Sequence, residues 1–402
     1  MTRILLLENP HTSADEIFHK HGCEIRRISG ALDEDELIAA LDGVDVLGLR
    51  SKTFVTKRVL DAAPSLTAIG AFCIGTNQID LRAASERGIG VFNAPYSNTR
   101  SVVEMVIGEL IALTRQIPQK NNALHRGVWE KSAAGSHEVR GKTLGIIGYG
   151  SIGSQLSVVA EAIGMNVVFY DIAEKLALGN ARRSPTLDAL LAESDVVSLH
   201  IDGRASNTNF FSRAMFDKMK RGAVFINLSR GHIVDLEALR EKLLDGTIAG
   251  AGIDVFPEEP NANGEHFESC LAQFPNVILT PHIGGSTLEA QESIGQFVST
   301  KLMSYIRKGE TDMSVNLPNL ASSPSDDSLY RVAWVHRNTP GALARVNQLF
   351  ADAGANITYQ SLATKGEYGY MVTDSATDVP ELVLAELQQS PMHVRLRVLR
   401  KG

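Results

Sequence analysis

KTLGIIGYGSIG, residues 142–153, runs a short apolar segment straight into three glycines. LGII reads as a buried strand, and SQLSVVAEAIG after it reads as a helix. In that context each glycine has a task. Gly148 makes the tight turn, Gly150 leaves bare backbone for a close-lying pyrophosphate, and Gly153 lets helix and strand pack together. With Ser151 and Ile152 they form a loop that turns a helix N-terminus toward phosphates. A glycine pattern alone is weak evidence, so the next strand matters. MNVVFYD ends on Asp171, 18 residues beyond Gly153, near the spacing of roughly 20 at which an acidic residue meets the adenosine ribose. That carboxylate would repel a 2′-phosphate, so the sequence points to NAD rather than NADP as cofactor.

Working outward, the same alternation recurs on both sides. Before the fingerprint, RILLLE, CEIRRIS, DVLGLR, TAIGAFCIG and IGVFNAP read as strands, with ADEIFHKHG, DEDELIAALDG, TKRVLDAAP and IDLRAASERG as helices between them. Strands separated by helices imply a parallel sheet covered on both faces. A long helix follows, TRSVVEMVIGELIALTRQI, with Asn98 or Thr99 as cap. After the fingerprint, DVVSLHI, AVFINLSRG, GAGIDVF and VILTPHIGG read as strands that end in polar residues. In doubly wound sheets the ligand lies in the crevice beyond the strand carboxyl ends, so Asn227, Arg230, Asp254 and His282 can converge there.

Composition bounds the rest. A chain of 402 residues makes two or three domains. Its 39 Lys and Arg against 46 Asp and Glu give a net charge of −7, so no global basic field favours nucleic acid or a membrane surface, and an anionic ligand must meet a local basic cluster. Cys23, Cys73 and Cys270 are odd in number and far apart, which argues against a disulfide framework or a metal site and fits a reducing cytoplasm. MTRILLLENP has too short an apolar run for a signal peptide.

The blocks NLSRG (227–231), GIDVFPEEP (252–260) and TPHIGGST (280–287) resemble those of the D-isomer-specific 2-hydroxyacid dehydrogenases. GLRSKT (48–53), FCIGTNQID (72–80) and NAPYSNTRS (93–101) resemble the phosphoglycerate branch of that family. The resemblance implies that Arg230 binds the substrate carboxylate and polarises the C2 oxygen, that His282 is the acid/base, and that Glu259, rather than its neighbour Glu258, holds the imidazole. It places Asp254 by the nicotinamide carboxamide and Arg50, Ser51, Gly75, Asn98 and Arg100 on the substrate. Lys131, in HRGVWEKSAAGS, could add charge within or between subunits or could be ordinary surface. The chemistry agrees: oxidising a secondary alcohol requires removal of its hydroxyl proton, and an imidazole beside a carboxylate titrates in the right range. The implied reaction is NAD-dependent oxidation of 3-phosphoglycerate to 3-phosphohydroxypyruvate. The chain departs from the wider family in SLHIDGRASNTN, where Asp202 lies in a region that often carries proline.

Past the Pro/Ser/Asp-rich ASSPSDDSLY, a strand, helix, strand, strand, helix, strand order restarts from YRVAWVH, as in a ferredoxin-like unit. HRNTPGALARV resembles the start of an ACT regulatory domain, a type that commonly binds amino acids between paired copies. By that resemblance His336, Asn338 and Asn356 contact L-serine as inhibitor, and a homotetramer is implied. The expected architecture is α/β: a discontinuous substrate domain (1–98 and 285–320) and an inserted Rossmann-type NAD domain (99–284), each a doubly wound parallel sheet, then a ferredoxin-like ACT domain (328–402). Gly284 and Gly285 suit a hinge, and Ser286 with Glu289 has capping-box spacing for the returning helix. Two other readings stay open: a dehydrogenase of a non-phosphorylated 2-hydroxy acid such as 2-hydroxyglutarate, and an NAD-sensing interaction protein.

Overall fold

The computed structural model describes residues 1–260, 264–322 and 327–400. It divides into two compact units, one of residues 1–97 with 291–402 and one of residues 98–290.

The first unit opens with five strands, β1 (Arg3–Leu7), β2 (Glu24–Ile28), β3 (Val46–Leu49), β4 (Ala68–Ala71) and β5 (Gly90–Asn93), alternating with helices α1 (Ser13–Lys20), α2 (Glu34–Ala40), α3 (Lys57–Ala62) and α4 (Leu81–Glu86). All pairings are parallel, in the order β2-β1-β3-β4-β5. Successive side chains of β1 go to opposite faces, Ile4 and Leu6 into one apolar cluster and Leu5 and Leu7 into another. That is why the strands read as unbroken apolar runs. Helix starts follow local capping: Asp33 and Glu36 form a capping box on α2, and Thr56 and Asp80 cap α3 and α4.

The second unit contains α5 (Thr99–Thr114), α6 (Ile117–His125), β6 (Thr143–Ile147), α7 (Ser151–Ala162), β7 (Asn166–Tyr170), the short β8 (Arg182–Arg183), α8 (Leu187–Glu193), β9 (Val196–Leu199), α9 (Arg213–Phe216), β10 (Ala223–Asn227), α10 (Leu236–Leu244), β11 (Ile248–Ile253) and β12 (Val277–Leu279). The sheet is parallel, in the order β12-β11-β10-β9-β6-β7-β8. The chain winds outward from β6 through β7 to β8, then returns to β9 on the other side of β6. The strand order reverses there, and such a switch point opens a crevice at the carboxyl ends.

Helix α11 (Leu288–Lys308) follows. Its cap is Thr287, whose Oγ1 accepts from the Ala290 N–H at 3.1 Å, so the helix starts one residue later than the Ser286–Glu289 spacing suggests. The C-terminal module belongs to the first unit: β13 (Tyr330–Arg337), α12 (Ala342–Asp352), β14 (Ile357–Lys365), β15 (Tyr368–Ser375), α13 (Glu381–Gln389) and β16 (His393–Arg400). Its antiparallel sheet runs β14-β15-β13-β16, the ferredoxin-like order. Val332, Trp334 and Met371 pack under α12 and α13, while Ala333, Val335 and Tyr370 share a core with Leu302 and Tyr305 of α11. Arg331 pairs with Asp374 at 2.6 Å, both fully buried, and donates to the Lys308 carbonyl. Tyr370 donates to the Gly309 carbonyl and Arg397 to that of Ile306. The module's side chains thus satisfy carbonyls that the end of α11 would leave bare. Residues 323–326 of the Pro/Ser/Asp-rich stretch lie outside the described residues. Among the described residues no helix is long and apolar enough to cross a membrane.

Candidate active site

The glycine loop leaves β6 at Gly148, with φ +92°. A side chain there would be strained, and its Cβ would sit 2.4 Å from the His200 carbonyl. A Cβ at Gly153 would lie 2.2 Å from the Gly148 carbonyl. Gly150, by contrast, has open space where a Cβ would be. It is the N-cap of α7 and supplies no side-chain cap, so the first N–H groups of the helix, from Ser151, Ile152 and Gly153, are free of one. A dinucleotide pyrophosphate fits this cradle: bare backbone, an uncapped helix start and room for the ligand. Asp171 follows β7, with its carboxylate accepting from the N–H groups of Tyr149 and Ala173, both at 2.8 Å. It therefore ties the glycine loop to its own turn. His200, just past β9, is half-buried, and the desolvation of its ring pushes it down to about 4, so it is neutral at physiological pH, with Nε2 2.8 Å from Ser198 Oγ.

At the ends of β10, β11 and β12 the polar residues form one connected set. Asn227 is fully buried, with Oδ1 accepting from Ser229 and Nδ2 donating to the Arg230 carbonyl, which fixes the turn that carries Arg230. The Arg230 stem passes over Gly203, and the charge of Arg230 helps keep the nearby Asp202 carboxyl low, after the larger effect of Asp202's own pairing with Arg204. Asp254 is buried and collects three donors from one loop: Thr280 Oγ1 at 2.6 Å, the Ile283 N–H at 2.8 Å and the Gly284 N–H at 2.8 Å. Its carbonyl accepts the N–H of His282 at 2.8 Å.

His282 is held in the left-handed region, φ +54°, at a cost of about 1–3 kcal/mol for a residue with a Cβ. The Asp254 contacts hold it in that conformation. Its Nδ1 lies 2.7 Å from Glu259 Oε2. A carboxylate can only accept, so Nδ1 carries the hydrogen and Nε2 is left free to take up a proton. The other Glu259 oxygen accepts from the Phe256 N–H at 3.1 Å. The hydrogen bond to Glu259 raises the imidazole's proton affinity, outweighing burial, which lowers it. Burial alone would push Glu259 up, but the hydrogen bonds from His282 and Phe256 and the charges of His282 and Arg230 leave it below the usual carboxylate range. The pair is half exposed, with 48% of the His282 side chain accessible, so a small molecule can reach the imidazole.

Asn98 caps α5 without a side-chain bond, and its amide fills the space left by the missing Cβ of Gly285. Arg100 is exposed and pairs with Glu104 at 2.6 Å. Lys131 is exposed on the segment after α6.

In the first unit, Arg50, Ser51 and Gly75 come together at the carboxyl ends of β3 and β4. Gln78 clasps the two loops by donating to the carbonyls of Arg50 and Gly75. Glu8, buried in the left-handed region, accepts from the N–H groups of Lys52 at 3.0 Å and Thr53 at 2.8 Å. Among the described residues the Arg50 guanidinium has no ion-pair partner. Glu8 ends the first apolar strand and Gln78 lies within FCIGTNQID (72–80), but nothing in either segment showed that its side chain would pin the loop after β3.

In the C-terminal module, His336 is buried and stacked on Trp334, with Nδ1 bound to the Arg337 carbonyl and Nε2 without a partner among the described residues. Exposed Asn338 donates to the Gly366 carbonyl, at the β14–β15 hairpin. Exposed Asn356 precedes β14, whose first residue pairs with Ser375 and whose last pairs with Tyr368. The two asparagines therefore sit at opposite ends of a nine-residue strand, roughly 30 Å apart at about 3.3 Å per residue. One chain does not bring them together.

Residues 107–284 match the D-isomer specific 2-hydroxyacid dehydrogenase NAD binding domain, and residues 332–391 match the AHAS small subunit-like ACT domain. The chain is 50% identical over 398 residues to a D-3-phosphoglycerate dehydrogenase of Haemophilus influenzae, covering 99% of this chain and 97% of that one. It is 49% identical over 400 residues to the D-3-phosphoglycerate dehydrogenase of Escherichia coli, with the same coverage. Among solved structures, the NAD-complexed D-isomer specific 2-hydroxyacid dehydrogenase of Lactobacillus delbrueckii superposes with a TM-score of 0.69 at 26% identity, over 76% of this chain and 97% of that one.

Proposed function

The chain belongs to the D-isomer-specific 2-hydroxyacid dehydrogenases, NAD-dependent oxidoreductases, and on that premise we propose that it oxidises 3-phosphoglycerate to 3-phosphohydroxypyruvate, the first step of L-serine biosynthesis. The observation that carries the chemistry is the 2.7 Å contact between His282 Nδ1 and Glu259 Oε2. It leaves Nε2 as the base for the C2 hydroxyl proton and stabilises the imidazolium once that proton arrives. Arg230 takes the substrate carboxylate and polarises the C2 oxygen, a task suited to a planar guanidinium. NAD, when bound, supplies the hydride acceptor. Gly148 to Gly153 would hold its pyrophosphate, Asp171 its adenosine ribose, and Asn227 and Asp254 would serve its nicotinamide end.

The phosphate end falls to Arg50, Ser51 and Gly75, with Asn98 and Arg100 as further substrate contacts. Residues 1–98 with 285–320 serve substrate binding, 99–284 NAD binding and 328–402 regulation. The ACT match supports an amino-acid effector; L-serine is our choice, bound where Asn338 of one copy meets Asn356 of another, in a homotetramer located in the cytoplasm.

Following NADH absorbance with phosphohydroxypyruvate, 2-oxoglutarate and pyruvate in parallel, with and without L-serine, tests the substrate and the effector together. Phosphohydroxypyruvate should be turned over most efficiently, and serine should slow it. Turnover of pyruvate with none of the phosphorylated acid would reject the proposal.

A further inference from the structure

Glu109 projects from α5 toward β11 and is 5% exposed, with both carboxyl oxygens lacking a hydrogen-bond partner among the described residues. The space for it comes from Gly252, where a Cβ would lie 2.2 Å from Glu109 Oε2. Gly252 is two residues before Asp254, so both present the same face of the strand to α5. Asp254 in turn holds the loop that carries His282 by three hydrogen bonds from its carboxylate and one from its carbonyl. All three partners of the carboxylate are donors, the pattern that a charged carboxylate accepts.

We propose that Glu109 is a positioning residue for the reaction: an uncharged carboxyl seated beneath Asp254 that lets this aspartate alone carry the negative charge anchoring the His282 loop. A second charge at this depth would have no partner, which is costly in a buried site. It would also push Asp254 away from the donors it collects. The other elements packed on α5 bring nothing to offset it. The strands β10, β11 and β12 carry no titratable side chain. On α6, Lys120 is turned to the Ser132 carbonyl and His125 lies in the last turn; on α7, Glu161 is bound to the Asn180 N–H. On α5 itself Arg100 and Glu104 neutralise each other. Burial first, and the Asp254 charge second, push Glu109 up to about 8, so it is neutral under ordinary conditions and ionises as the solution becomes mildly alkaline.

Because the folded state holds this proton more tightly than the unfolded chain does, Glu109 subtracts stability progressively as pH rises from the ordinary carboxylate range to about 8. Glu109→Gln keeps the shape and is neutral at every pH. The proposal rests on NAD-dependent chemistry but not on the choice of substrate, since NADH affinity reads it without one. In the full-length enzyme with His282→Ala, where the imidazole no longer titrates, NADH affinity measured by fluorescence should fall about fivefold or more on going from neutral to alkaline pH. Adding Glu109→Gln should flatten that profile. With His282 intact, the Gln variant should turn over at neutral pH within about twofold of the parent. Infrared difference spectra should show a protonated-acid carbonyl band that disappears over the same alkaline interval in the parent and is absent from the variant. Superimposable affinity profiles, or a folded Gln variant inactive at neutral pH, would overturn the proposal. If the Gln variant does not fold, the parent's infrared titration decides, and a parent without that band sinks the idea.

Discussion

Asp254, Glu259 and His282 are linked by hydrogen bonds within one unit, the His282 N–H to the Asp254 carbonyl and the His282 ring to Glu259, whereas Asn338 and Asn356 stand exposed at opposite ends of a single strand. The first group is complete in a single chain, even to the strained backbone of His282. Under the proposal above, the second becomes a site when another copy supplies the missing half. Proton transfer rewards atoms fixed beforehand, so its residues are clamped. Regulation requires a ligand to bind one state better than another, and a site that exists only when two modules meet is a direct way to achieve that.

The hardest blow to the first group is His282→Ala. General acid/base groups commonly contribute 10²–10⁴-fold, so turnover should fall by roughly 100-fold or more while NADH still binds, measured by stopped-flow and fluorescence. Unchanged turnover would remove the imidazole from the mechanism and with it the sense in which this region is the clamped one.

Arg50 tests whether the clamped style extends to the first unit, where Glu8 and Gln78 pin the loop it stands on. A charge-assisted contact is worth about 1.5–3 kcal/mol, so Arg50→Ala should lower efficiency with phosphohydroxypyruvate by roughly 10- to 150-fold and spare 2-oxoglutarate. Equal losses for the two acids would assign Arg50 to the carboxylate or to the scaffold.

The two regions were not equally open to sequence reading. Period and turn chemistry exposed every long strand and the glycine loop, because an apolar run covered on both faces leaves little else for a chain to be. The two-residue β8 escaped, being too short to show a period, and α11 starts at Thr287 rather than Ser286 because two adjacent hydroxyl residues offer equivalent caps and only backbone geometry chooses. Glu8, Gln78 and Glu109 escaped for another reason. Each acts through burial and a partner distant in sequence, and nothing in the local pattern marks a lone polar residue as buried. The separation of Asn338 from Asn356 was hidden in strand register, which fixes which ends meet only once the sheet has formed.

Exposure at both ends of β14 makes the second group testable by mixing. Asn356→Ala should weaken serine by roughly 5- to 150-fold, as for a lost buried hydrogen bond, with basal turnover intact. If each site draws Asn338 from one copy and Asn356 from another, then hybrids of an Asn338→Ala chain with an Asn356→Ala chain hold one intact site and one doubly damaged site. Calorimetry on the hybrids should recover a tight-binding fraction that neither parent variant has. No recovery would break the contrast, because it would mean that each site draws both residues from the same chain.

The finest test separates charge from geometry inside the clamped group. Glu259 uses one oxygen to accept from His282 and the other to accept from the Phe256 N–H, and a glutamine can replace the first but would turn its NH₂ toward the second. Glu259→Gln therefore keeps the ring's orientation, removes the negative charge and loosens the 256–259 turn. The hydrogen bond to that carboxylate is the largest cause of the imidazole's raised affinity for protons, ahead of burial, which opposes it. Without the charge His282 should lose its proton at lower pH. Reduction needs the imidazolium, so its alkaline limb should move toward acid; oxidation needs the neutral ring, so its rising limb should move the same way. Stability has a matching sign. A histidine whose proton affinity is raised by folding stabilises the protein fully below about 6.5 and loses that contribution as pH climbs through the folded value, so the melting difference between parent and variant should narrow on the alkaline side. Movement of both kinetic limbs together with that narrowing would tie the carboxylate to the proton. If both limbs stay where they are in the parent, Glu259 orients the ring and does nothing to its charge.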